Sequence, residues 1–251
     1  MQLEALRIGY GSRVILSEIS LKITAGTCTA ILGFNGAGKS TLLRTIAGLQ
    51  VPFAGKVLVD DQDLHRMDVR TRAQHLSIVL SDRNEMAQAL RVYEVLSMAV
   101  APHREWFRSL HADEWQRIQD TSARMHIQHL QQRQLHQLSD GEMQKVAIAR
   151  ALLQDTPIIL LDEPTAHLDL HHKIEVFALM RALSEEGKTI VFTSHDIEPA
   201  LRTATDIVLV GDGKVQSGTV SEIMHSGAIA QYFSTGSVSF NADQMRFDYR
   251  I

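Results

Sequence analysis

Apolar and polar positions alternate in short runs at the start of the chain: Leu3, Leu6 and Ile8, then Val14 and Leu16, then Ile19, Leu21 and Ile23. Breaks fall at Gly11-Ser12 and Ala25-Gly26. Period-two runs separated by turn residues predict a small antiparallel β region. A continuous apolar run, Cys28 to Leu32, predicts a buried strand. Leu42, Leu43, Ile46 and Ala47 then recur at helical spacing, with Gly48 where a helix C-cap falls. Further strands are predicted at Gly55 to Val59, Leu76 to Leu80, Ile158 to Leu161 and Thr189 to Thr193. A hairpin is predicted from Ile207 through Gly211-Asp212-Gly213 to Val215.

From about Asn84 to Gln137 the pattern changes: no clear strand, many Gln, His, Arg and Glu, and helical spacing around Tyr93 to Ala99 and Trp115 to Ile127. With the helix predicted from Met143 to Leu153, this reads as a helical subdomain at about 84–155, inserted in an α/β chain. Trp106, Phe107 and Trp115 either form a small core of their own or face a partner. The weakly patterned tail from about residue 229 predicts a small appendage on one domain spanning 1–251.

Between the buried strand and the first helix lies Gly33-Phe34-Asn35-Gly36-Ala37-Gly38-Lys39-Ser40-Thr41, which has the spacing of a phosphate-binding P-loop. Glycines let the backbone turn its N–H groups inward, and the helix N-terminus adds partial positive charge. Lys39 can reach β- and γ-phosphates, and the Ser40 hydroxyl can ligate Mg²⁺. A glycine turn without a ligand is the competing explanation, and strand, loop and helix in the required order argue against it.

Other candidate positions are double-edged. Tyr10, between Gly9 and Gly11, is either a turn aromatic or a ring for stacking on adenine. Ser139 with Glu142 makes a helix capping box, and the same Leu138-Ser139-Asp140-Gly141-Glu142 stretch suits an anion. Asp162-Glu163-Pro164 ends an apolar run, putting two acids at the carboxyl end of a central strand, where ligands gather in open α/β sheets. Beside a P-loop they suit Mg²⁺ support (Asp162) and water activation (Glu163). His195 ends another strand, as a loop histidine or a γ-phosphate contact.

Composition narrows the class. At 251 residues and 45% hydrophobic content the chain can bury a sizeable core. A net charge of −4 with dispersed Lys and Arg points away from nucleic acid. No apolar run approaches a membrane span, the N-terminus lacks a signal-peptide pattern, and Cys28 is the single cysteine. A soluble cytoplasmic protein is expected. Twelve scattered histidines, with His171 and His172 adjacent, make a poor metal site.

Taken together, the chain resembles the ATP-binding subunit of an ABC transporter. The resemblance covers nearly the whole sequence. It rests on the P-loop at Gly33 to Thr41, a signature motif at Leu138 to Glu142, and the strand ending in Asp162 and Glu163. It continues with Ala166-His167-Leu168-Asp169 as the D-loop, His195 as the switch histidine and Tyr10 as the adenine-stacking aromatic. The resemblance implies a P-loop NTPase fold with ATP and Mg²⁺ as ligands. It places Tyr10, Gly33, Asn35, Gly36, Ala37, Gly38, Lys39, Ser40, Thr41 and the D-loop Asp169 at the nucleotide, with Ser139 and Gly141 supplied from a second copy. Glu163 and His195 are the implied catalytic pair, and Ser40, Asp162 and, through water, Ser81 the implied metal residues. Two copies would face head to tail on the cytoplasmic face of the membrane. They would sit under two permease subunits, fed indirectly by an extracytoplasmic binding protein.

Two departures stand out. The signature reads Leu-Ser-Asp-Gly-Glu where family members usually have Gly and Gln at the third and fifth places. Ser81 stands where a strand-end glutamine usually touches Mg²⁺. The short single cassette and the segment Val92-Tyr93-Glu94-Val95-Leu96 look most like importers of iron chelates, haem or vitamin B12. An exporter motor, a soluble non-transport ABC ATPase and a silent nucleotide binder are the alternatives. The soluble ATPase normally carries long inserts, a second nucleotide domain or an iron–sulfur cluster, and the silent binder fits poorly with Glu163 and His195.

Overall fold

A computed structural model describes residues 1–81, 89–100, 110–234 and 236–249. The alternating N-terminal runs form β1 (Gln2–Tyr10) and β2 (Arg13–Lys22), followed by β3 (Cys28–Leu32), α1 (Lys39–Ile46), β4 (Ala54–Val59) and β5 (Gln62–Asp63). Strands β2, β1, β4 and β5 make the expected antiparallel sheet, in that order. Helix α1 stops where the pattern places its end. Gly48 has φ +70° and its N–H reaches the Thr45 carbonyl, while Leu49 reaches Arg44, a left-handed glycine stop.

Beyond this lie α2 (Val69–His75), β6 (Leu76–Val79), α3 (Val92–Val100), α4 (Ala112–Arg124) and α5 (Asp140–Leu153). Val92, Val95, Leu96, Ala99 and Val100 line one face of α3, at the three-and-four spacing of a buried stripe. Helices α3, α4 and α5 pack on one another. Trp115 is exposed on α4, whereas Trp106 and Phe107 lie outside the described residues, as does the Asn84 end of the expected insertion.

The chain continues with β7 (Ile158–Leu161), α6 (Leu170–Glu185), β8 (Thr189–Ser194), α7 (Ile197–Thr203), β9 (Asp206–Gly211), β10 (Lys214–Thr219), α8 (Val220–His225) and α9 (Ala228–Phe233). It ends in a short hairpin, β11 (Val238–Asn241) with β12 (Arg246–Tyr249). The larger sheet runs β10-β9-β3-β8-β7-β6. Strands β9, β3, β8, β7 and β6 are parallel, and β10 is the antiparallel partner of β9, as the glycine turn predicts.

Successive residues of its buried strands feed different cores. Ala30, Ile159, Phe192 and Leu209 join the side with α3, α5 and α6. Ile31, Leu160, Val191 and Val208 join the side with α1 and the antiparallel sheet. This is why these strands read as unbroken apolar runs: both faces are covered. Burying one such side chain contributes about 1.5–3 kcal/mol. The tail opens inside the first core, through Ile229 and Phe233 of α9, before the hairpin adds to it. Among the described residues, no helix is long and apolar enough to cross a membrane.

The parallel register sets the site. Leu32 pairs with Ser194, Leu161 with Phe192, and Val79 with Leu161. The residues that follow β3, β7 and β6 therefore emerge together at one sheet edge, with the end of β8 beside them.

Candidate nucleotide site

The P-loop leaves β3 at Gly33 and enters α1 at Lys39. A Cβ at Gly33 would lie 2.2 Å from the Val210 carbonyl oxygen, so only glycine lets the loop pass β9 this closely. Gly38 has φ +105°, and a Cβ there would also strike Ile15. Lys39 is 4% exposed. Its Nζ donates to the Gly33 carbonyl (2.9 Å) and the Phe34 carbonyl (3.2 Å), and lies 3.8 Å from Glu163 Oε1. Burial lowers its pKa, against the raising effect of Glu163 and Asp162.

Asp162, 1% exposed, collects three hydroxyls. Ser40 Oγ donates to Oδ1 across 2.9 Å, Thr193 Oγ1 across 2.8 Å, and Ser81 Oγ lies 3.5 Å from Oδ2. Ser40, Asp162 and Ser81 thus present carboxylate and hydroxyl oxygens at one point, the hard donor set that suits Mg²⁺. The contact of Ser81 is the longest of the three and runs to the other carboxylate oxygen.

Glu163 sits in the left-handed region, φ +47°, which side chains larger than glycine rarely adopt. Its N–H is held by the Thr193 hydroxyl at 2.8 Å, and His195 Nδ1 lies 3.1 Å from Oε2. The carboxylate is therefore suspended between Lys39 and His195, at the wall of the loop. Tyr10, half-exposed, joins Asn35, Gly36, Gly38, Lys39, Ser40, Thr41 and Glu163 around an open cleft of about 270 Å³. Tyr10 thus stands both at the β1–β2 turn and beside the cleft.

Ser139, Gly141 and Asp169 do not line that cleft. Ser139 caps α5: its hydroxyl accepts from the Glu142 N–H (3.3 Å) and donates to Glu142 Oε2 (3.0 Å). The Ser139 N–H also bonds this carboxylate, which is what chiefly holds Glu142 below the usual carboxylate range. Asp140 is exposed in the first turn of α5, where the helix N-terminus favours an acid. Asp169 caps α6, accepting from the His172 N–H at 3.0 Å and lying 2.8 Å from its Nδ1. The His172 ring packs on Gly141, where a Cβ would lie 3.2 Å from it, so the N-terminal turns of α5 and α6 lean together. His171 meets Glu175 instead.

Two residues of the site escape sequence reasoning. Thr193 reads only as a strand residue, yet it bonds both acids; its place beside Asp162, one residue past the Leu161–Phe192 pair, is the signal that could have found it. Ile15 lines the cleft and carries no signal beyond an apolar β position.

Known proteins resemble the chain along most of its length. The family model described as ABC transporter matches residues 16–166. The Petrobactin import ATP-binding protein FpuD of Bacillus anthracis is 34% identical over 235 residues, 93% of this chain and 86% of that one. The inward-facing conformation of a putative metal-chelate type ABC transporter superposes with a TM-score of 0.80 at 25% identity, covering 98% of this chain and 94% of that one. The ATP-binding cassette MJ0796, a dimer in a post-hydrolysis state bound to ADP and Pi, superposes with a TM-score of 0.76 at 28% identity, covering 87% and 98%. With a P-loop, two strand-end acids and His195 converging at one sheet edge, the chain belongs to the ABC transporter family, as one of its ATP-binding, ATP-hydrolysing subunits.

Proposed function

We propose that this subunit drives import of a metal chelate, a ferric siderophore, haem or cobalamin, through separate permease subunits. The observation that carries the catalytic part is Glu163, held at the cleft between Lys39 and His195. Lys39 exchanges the Gly33 and Phe34 carbonyls for the β- and γ-phosphates of ATP, while loop N–H groups cradle them. Tyr10 stacks on the adenine. Ser40 and Asp162 would hold Mg²⁺, with Ser81 taking part through water. Bound there, the ion would supply positive charge to stabilise the phosphates during transfer. Glu163 orients the attacking water and takes its proton; an oxygen–phosphorus bond forms from water as the bond to ADP breaks. His195 steadies the γ-phosphate.

The cleft of one copy lacks the signature residues, which supports a head-to-tail pair in which Ser139, Gly141 and Asp169 of a second copy close over the nucleotide. That the cassette MJ0796 is a dimer supports the pairing of two copies. Closure on ATP and reopening after hydrolysis is a ligand-driven shift between two states. The pair would lie peripherally on the cytoplasmic face of the membrane. An extracytoplasmic binding protein would deliver cargo to the permease side. The chelate class is supported by the petrobactin-import relative and the metal-chelate type transporter. Reconstitution with the permease and its binding protein tests it. Hydrolysis should be stimulated by one chelate among ferric siderophores, haem and cobalamin; indifference to all three, with stimulation by a solute on the cytoplasmic side, would indicate an exporter.

A further inference from the structure

Phe34, the second residue of the P-loop, is 56% exposed, yet one face of its ring is covered. The covering ring is Phe233 of α9, with centroids 5.1 Å apart and planes tilted by 56°, within the range of attractive aromatic pairs. Phe233 is itself buried, and Tyr232 stands beside it at 6.4 Å. The Tyr232 ring lies directly on Gly211, where a Cβ would be 2.6 Å from a ring carbon. Gly211 follows Val210, whose carbonyl fills the place of a Cβ on Gly33. The last turn of α9 therefore grips the P-loop twice, through Phe34 directly and through the end of β9.

What is gripped matters chemically. The Phe34 carbonyl accepts from Lys39 Nζ (3.2 Å) and from the Ala37 N–H (3.2 Å), so the backbone of residue 34 shapes the loop. A phenylalanine here with no ring beside it would leave that turn free to sample other conformations, and ordering it on binding costs affinity.

We infer that Phe233 is a positioning residue for the nucleotide: through the Phe34 ring it pre-shapes the phosphate loop, making the C-terminal segment part of the ATP site. The inference rests on the loop being the phosphate site. It is tested on the full chain by calorimetric titration with Mg·ATP, with thermal midpoints measured alongside, for Phe34→Ala, Phe233→Ala, the double variant and Phe233→Tyr. Each alanine variant should bind ATP about three- to tenfold more weakly, the double variant no more weakly than the weaker single, and Phe233→Tyr within about twofold of the parent. Affinity within about twofold of the parent in Phe34→Ala, single losses that multiply in the double variant, or a lowered midpoint with unchanged affinity in Phe233→Ala overturns it. Should Phe233→Ala fail to fold, exposed Phe34→Ala decides alone. Lys39→Ala run beside them separates the premises. A loss there with parental affinity in the phenylalanine variants removes only the positioning role; parental affinity there removes the phosphate-loop assignment too.

Discussion

The Thr193 hydroxyl donates to Asp162 Oδ1 at 2.8 Å while accepting from the neighbouring Glu163 N–H at 2.8 Å. One side chain of β8 thereby fixes two acids at the end of β7, including the unusual backbone of Glu163. Thr193→Val keeps the shape and removes the hydroxyl, leaving a part-buried N–H and a buried carboxylate each one partner short. A loss of about 1–3 kcal/mol in stability is expected. Turnover should fall by up to ~100-fold as Glu163 loses its position. Denaturant unfolding and phosphate release check both, with Thr193→Ser close to the parent. A valine variant as stable and active as the serine one would show that the hydroxyl positions nothing.

Lys39→Ala separates binding from folding. The ammonium is buried among carbonyls and one carboxylate, and desolvation already lowers its pKa. Its removal should cost little stability, whereas ATP affinity should fall about 10- to 100-fold with loss of charge-assisted bonds to phosphate. Calorimetry reads the affinity directly, and an unchanged value contradicts the phosphate role.

Ser81 reaches Asp162 only at 3.5 Å, and its side chain is two carbons shorter than the usual glutamine. Mg²⁺ keeps several waters readily, so one more between metal and hydroxyl costs little. Ser81→Ala should therefore leave Mg·ATP affinity within about twofold and act on cargo-stimulated turnover instead. A large loss of affinity would make the hydroxyl a direct ligand.

The signature acid predicts a pH effect. Glu142 is lowered in the folded chain, chiefly by the Ser139 N–H. Its cap is therefore fully stabilising above the ordinary glutamate value of about 4.3 and is lost as pH falls through the lower folded value. Glu142→Gln should flatten the acid limb of the stability profile. At neutral pH the same change removes a negative charge that lies against Ser139, where the second copy's triphosphate would sit. ATP-dependent dimer formation should strengthen by roughly fivefold, about 1 kcal/mol. Sedimentation in ATP distinguishes this from a weaker or unchanged dimer.

Much of this molecule is legible in sequence because local chemistry and global fold agree. Cys28 to Leu32, the glycine loop and the apolar run before Asp162 each declare their element, and parallel pairing then brings their ends together. Thr193 stays hidden because a hydroxyl in a strand is ordinary until the register puts it beside Asp162. The grip of Phe233 on Phe34 is hidden for the same reason, since nearly two hundred residues separate the rings and no periodicity links them. The β11–β12 hairpin carries too short an alternation to predict.

Glu163→Gln tests the central claim most directly. The amide keeps size and most contacts but cannot take a proton from water. In a complex reconstituted with its membrane partners, the variant should bind ATP with parental affinity and accumulate as an ATP-bound dimer. Phosphate release should fall by a factor on the order of 10³. Turnover within a few-fold of the parent would contradict the assignment of Glu163 as the residue that activates water.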